Sequence, residues 1–124
     1  MNGSDKTLNG CRVLIVEDEQ FLALDLEDAL KSHGASIIGP FANFDAAYHR
    51  AERDHFDTAI IDINLRDEAA YPIADELMRQ RIPFVFCTGY KASLVPERFA
   101  GVRVFQKPFD PLEVVEYIRV LNQR

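Results

Sequence analysis

The stretch Arg12-Val13-Leu14-Ile15-Val16-Glu17-Asp18 carries four consecutive apolar residues, three of them β-branched, and then stops on two acids. An apolar run of this length with no polar alternation predicts a strand covered on both faces, as in a parallel sheet with helices on each side. Similar runs recur at Ala35 to Ile38, Thr58 to Ile61, Pro83 to Cys87 and Val102 to Phe105. They begin at intervals of roughly 20 to 25 residues, the length of one strand plus one helix.

The intervening segments have helical spacing. Leu22, Leu26, Ala29 and Leu30 form one stripe, with His33 in the last turn and Gly34 placed to end it. Phe44, Ala47, Tyr48 and Ala51 follow a cap at Asn43, and Ala70, Ile73, Ala74 and Leu77 repeat that spacing around Pro72. A fourth helix is expected within Lys91 to Phe99, short or irregular because Pro96 interrupts it. Asp110, Pro111 and Glu113 supply the cap, first position and capping-box acid of a last helix, whose stripe is Val114, Val115, Ile118 and Leu121. Five such units predict an α/β fold: a doubly wound, five-stranded parallel sheet, (βα)5 and flavodoxin-like, with strand order 2-1-3-4-5.

The 124 residues suit one domain, expected over residues 11–124 behind a flexible N-terminal tail at 1–10. A net charge of −6 argues against nucleic acid as a partner. Neither a membrane span nor a signal peptide is recognisable, so a cytoplasmic protein is expected. Cys11 and Cys87 have no metal-site spacing and read as reduced structural thiols.

In sheets of this kind ligands gather at the carboxyl ends of the strands. There the sequence places Glu17 and Asp18 after the first strand, Asp62 after the third, Thr88 after the fourth and Lys107 after the fifth. With the first and third strands adjacent, three carboxylates share one pocket. Two unit charges about 4 Å apart repel by roughly 4 kcal/mol at an effective dielectric near 20, so the set calls for a cation. Oxygen donors without His or Cys favour Mg²⁺, which with the Lys107 ammonium brings the three carboxylates to formal neutrality and readies the site for a phosphoryl group. Taken singly, each residue has a plainer reading: the acids favour a helix N-terminus, Asp62 caps a turn, Thr88 bonds locally and Lys107 is solvated. Their joint placement at successive strand ends favours a site.

With Val-Leu-Ile-Val-Glu17-Asp18-Glu, Ala-Ile-Ile-Asp62-Ile-Asn-Leu, Phe-Val-Phe-Cys-Thr88-Gly and Gln-Lys107-Pro108-Phe in this order, the chain resembles the response regulator receiver domains of two-component signalling over nearly all of residues 11–122. The resemblance implies that Asp62 is the phosphoacceptor for a kinase phosphohistidine. Glu17, Asp18, Asp62 and the backbone carbonyl of Asn64 would hold Mg²⁺, and Thr88 and Lys107 would take phosphoryl oxygens. It also implies a cis Lys107-Pro108 bond, and a phosphoacceptor that promotes its own phosphorylation and dephosphorylation without being an enzyme. Phosphoryl transfer needs alignment and charge stabilisation more than covalent help, and this set supplies both.

Two departures stand out. Val104 occupies the position, three residues before the lysine, where most receivers have a switching aromatic ring, and Phe105 should face the other way. Phe86-Cys87-Thr88-Gly89-Tyr90 is similar to the Phe-Ala-Thr-Gly-Tyr signature of a receiver subgroup often paired with sensor histidine kinases of the HWE or a related class, with Cys87 in place of Ala. Tyr90 is a switch candidate, as substitute for the missing ring or as a shield for the acyl phosphate. An exposed loop tyrosine is the plainer alternative.

The sequence stops after the last helix, so a single-domain, stand-alone receiver is expected, with output through contact with an unknown downstream protein. Val95, Phe99, Tyr117 and Val120 would add apolar area on the face of the fourth helix, fifth strand and fifth helix, suited to a homodimer, the kinase or that partner; ordinary core packing is the alternative. A phosphorylation-independent, receiver-like interaction module is the competing reading. It predicts decay of the acidic or lysine positions, and all of them are present. An aspartyl-phosphate hydrolase would place its nucleophile after the first strand rather than the third.

Overall fold

The computed structural model describes residues 7–66, 68–89 and 95–122. The elements run β1 (Arg12–Val16), α1 (Gln20–Ser32), β2 (Ser36–Phe41), α2 (Phe44–Arg53), β3 (Thr58–Asp62), β4 (Asn64–Leu65), β5 (Glu68–Ala69), α3 (Tyr71–Arg79), β6 (Phe84–Thr88), β7 (Val104–Gln106) and α4 (Pro111–Leu121). β2-β1-β3-β6-β7 form the expected parallel sheet, and β4 and β5 a small antiparallel hairpin that the sequence reading lacked.

Strand alternation sorts the core into two layers. Leu14, Val16, Ala59, Ile61, Phe84 and Phe86 point to the layer of α2 and α3. Val13, Ile15, Ile60, Val85 and Cys87 point to that of α1 and α4. β3 and β6 are buried throughout, and β1 after its first residue. β2 and β7 are partly exposed, contrary to the expectation of burial on both faces, because each lies at a sheet edge and has one neighbour.

The caps expected at Asn43 and Asp110 form. The Asn43 side chain accepts from the Ala46 N–H at 3.0 Å, and Asp110 accepts from the Leu112 N–H at 3.0 Å. Each satisfies a donor that the helix itself leaves open. Gly34 ends α1 at φ +97°.

Two expectations need correction. Leu8 is buried, and its N–H donates to the His33 carbonyl at 2.8 Å, so the expected loose tail is anchored at Leu8, between the exposed Thr7, Asn9 and Gly10; residues 1–6 lie outside the described residues. Its apolar side chain joins the core cluster that holds Leu26, Leu30 and Ala35, which its polar neighbours in the sequence concealed. Of the fourth helix, residues 90–94 lie outside the described residues, and the remainder forms only a 3₁₀ turn at Glu97–Phe99 after Pro96. Of the two readings of Phe99, core packing holds: it packs with Tyr71, Phe84 and Phe86. Val95 and Tyr117 also lean on core clusters, while Val120 is half exposed.

Candidate functional site

β1 and β3 are in register from Val13↔Thr58 to Val16↔Ile61, so Glu17, Asp18 and Asp62 emerge side by side at the carboxyl edge. Asp62 pairs with Cys87 on the other side, which places Thr88 one step beyond it. The Lys107 N–H donates to the Thr88 carbonyl at 2.7 Å and fixes the last strand end against the fourth. The Lys107-Pro108 bond is cis.

These positions converge. Lys107 Nζ donates to Glu17 Oε2 at 3.0 Å and to Asp62 Oδ2 at 3.2 Å, with both carboxylates almost fully buried. Glu17, Asp18 and Asp62 each offer an oxygen, and these atoms lie within 4.8 Å of one another. Thr88 is buried at the rim of the set.

Backbone donors hold the acids in place. Glu17 Oε2 also accepts from the N–H of Glu19, the N-cap of α1, at 2.9 Å, and Asp62 Oδ1 accepts from the Asn64 N–H at 3.2 Å. Asp18 Oδ2 accepts from the Arg66 N–H at 2.8 Å across the β3–β4 segment. The Glu17 N–H donates to the Phe41 carbonyl at 2.9 Å, beyond a register shift in β2 at Gly39-Pro40. Gly39 has φ +103°, and a Cβ there would stand 2.8 Å from the Ile15 carbonyl oxygen, so the close approach requires glycine.

The electrostatics are strained. Burial first, and then Glu17, push the Asp62 carboxyl up to about 8 against the pull of Lys107. Burial lowers the Lys107 ammonium, but its contacts with Glu17 and Asp62 outweigh that and leave it above the ordinary lysine value. Glu17 Oε1 is buried and has no hydrogen-bond partner. An orphaned carboxylate oxygen inside an all-oxygen cluster that one ammonium cannot neutralise is what a small divalent ion would complete, so the residues present fit Mg²⁺.

All of Glu17, Asp18, Asp62, Thr88 and Lys107 thus meet at one edge, and Asn64 adjoins Asp62 through its N–H. Tyr90 lies outside the described residues. Val104 and Phe105 point to opposite layers, as expected. Sequence reasoning missed Arg66 and Gly39. Arg66 adopts φ +58°, and nothing in an arginine announces a left-handed residue; the Gly39-Pro40 pair did carry a turn signal.

Comparison with known proteins agrees with this geometry. The model of the response regulator receiver domain matches residues 13–119. The transcriptional regulatory protein PdtaR of Mycobacterium tuberculosis is 30% identical over 117 residues, which are 91% of this chain and 57% of that protein. The phyllosphere-induced regulator PhyR of Methylorubrum extorquens is 32% identical over 111 residues, 82% of this chain and 40% of that one. The chain therefore spans about half the length of these curated relatives or less. The solution structure of SdrG from Sphingomonas melonis Fr1 superposes with a TM-score of 0.77 at 38% identity, covering 90% of this chain and 96% of that one. With the sheet order, the converging strand ends and the family match in agreement, the chain belongs to the response regulator receiver domains of two-component systems.

Proposed function

We propose that Asp62 accepts a phosphoryl group from the phosphohistidine of a partner histidine kinase, in a Mg²⁺-dependent reaction, and that the modified domain signals through contacts with other proteins. The observation that carries this reading is the Lys107 ammonium bridging Glu17 and Asp62 at 3.0 and 3.2 Å, with Asp18 in the same cluster. A structural ion pair needs one acid. Three acids around one lysine form a site for a further cation and an anion.

In this reading Glu17, Asp18, Asp62 and the Asn64 carbonyl would hold Mg²⁺, which would supply positive charge for the phosphoryl oxygens. An Asp62 oxygen attacks phosphorus in line as the P–N bond of the donor breaks. The imidazole leaves with the bonding electron pair and is neutral, because its second nitrogen keeps its proton. Lys107 and the Thr88 hydroxyl take phosphoryl oxygens. Since Lys107 and Thr88 are joined through the backbone, arrival of the charge acts on both strand ends together.

Incubation with Mg²⁺ and acetyl phosphate tests this. The intact protein should gain the mass of one phosphoryl group on the peptide that contains Asp62, and Asp62→Asn or chelation of the metal should abolish the gain. Modification elsewhere, or none, would leave the phosphorylation-independent interaction module as the better reading.

A further inference from the structure

Among the described residues, two that are not glycine have positive φ, Arg66 at 58° and Arg81 at 62°. Arg66 stands two residues beyond Asn64 in the turn between β4 and β5, in a backbone region that favours glycine. Its N–H fixes Asp18, a task any residue but proline performs. The side chain needs a separate account.

Arg66 lines a cavity of about 300 Å³ together with Glu17, Asp18, Gln20, Leu24 and Pro40. Arg66 is the one cation among the described residues of its wall. Lys107 opens instead onto a second cavity of about 330 Å³, with Glu19, Leu22 and Phe109. The two basic residues nearest the acids in the fold thus line two different cavities, Arg66 the one that Glu17 and Asp18 also line. Lys107 is committed to Glu17 and Asp62, whereas the exposed Arg66 has no ion pair among the described residues. A donor that approaches through the 300 Å³ cavity would otherwise meet only negative charge.

We infer that Arg66 is a specificity residue for the phosphodonor: its guanidinium receives the anionic oxygens of the incoming phosphoryl group at the mouth of the cavity, while its backbone N–H holds Asp18. This rests on the reading of Asp62 as phosphoacceptor. The planar guanidinium suits paired phosphoryl oxygens, and an exposed cation beside buried carboxylates raises the encounter rate with an anion.

Arg66→Gly removes the side chain, keeps the N–H and relieves the backbone; Arg66→Lys keeps the charge. Two measurements on the whole chain separate the roles: Mg²⁺ titration followed by amide chemical shifts without donor, and the rate of Asp62 phosphorylation by acetyl phosphate at several salt concentrations. For Arg66→Gly we expect Mg²⁺ affinity within about twofold of the parent, phosphorylation slower by about tenfold, and a shallower decline of the rate with salt. Arg66→Lys should recover part of the rate and the steeper salt dependence. A glycine variant as fast as the parent, a lysine variant no faster than the glycine one, or a rate loss matched by lost Mg²⁺ affinity would overturn the role of the guanidinium. A parent that takes no phosphoryl group would instead bring down the reading of Asp62, and this inference with it.

Discussion

Asp62 is held between two opposing demands. In the proposed role of phosphoacceptor it has to be ionised, yet burial and Glu17 hold its proton up to about 8 in the metal-free protein. In the unfolded chain an aspartate loses its proton near pH 3.9. Between these values the folded state binds one proton more than the unfolded state, so metal-free stability falls as pH rises, by at most about 1.4 kcal/mol per pH unit, and the penalty is complete above the folded value. Urea midpoints of the metal-free protein from about pH 5 to about pH 8 should show that decline, and Asp62→Asn should flatten it. Mg²⁺ binding should release a proton and strengthen as pH rises through the same interval. An unchanged slope in Asp62→Asn would show that another group carries the titration. The residue types of this site were legible in the sequence because chemistry restricts them. The Arg66 turn was not, since a backbone N–H donor has no signature in residue identity.

The elements explain how residues from four separate stretches of the chain meet. Apolar runs and caps were readable because strand burial and helix capping are local: Val13 to Val16, Asn43 and Asp110 each act where the sequence indicates. Edge exposure of β2 and β7 was not readable, because it depends on which strands have two neighbours. The β2 edge nonetheless matters for the site. Gly39 allows the register shift that brings the Phe41 carbonyl to the Glu17 N–H. Gly39→Ala should cost about 1 to 3 kcal/mol in urea unfolding, since both its φ and the Ile15 carbonyl oppose a Cβ. It should also weaken Mg²⁺ binding, because Glu17 loses its fixed approach. A stability loss with unchanged Mg²⁺ affinity would show that Glu17 is held by α1 alone.

At the scale of the whole molecule, two apolar layers clamp one sheet, and the carboxyl edge is left for chemistry. No helix among the described residues is long and apolar enough to cross a membrane. The second layer reaches further toward the N-terminus than the polar start of the chain suggested, through Leu8 beside Cys11, Leu30 and Ala35. Burial pushes the Cys11 thiol up to about 11, and its sulfur accepts from Asn122, so this end of the core is closed by both termini of the described fold. Leu8→Ala should cost about 2 to 4 kcal/mol in urea unfolding, as for a buried leucine, whereas a loose segment would lose nothing measurable.

The buried Leu8 also fixes at which pole of the sheet the described chain begins. It precedes β1, so the chain comes in at the amino edge of the sheet, with all five residues of that strand between it and Glu17. At about 3.3 Å per residue that is a separation of roughly 17 Å. Residue 7, where the described chain begins, thus stands at the pole of the domain opposite the acidic rim.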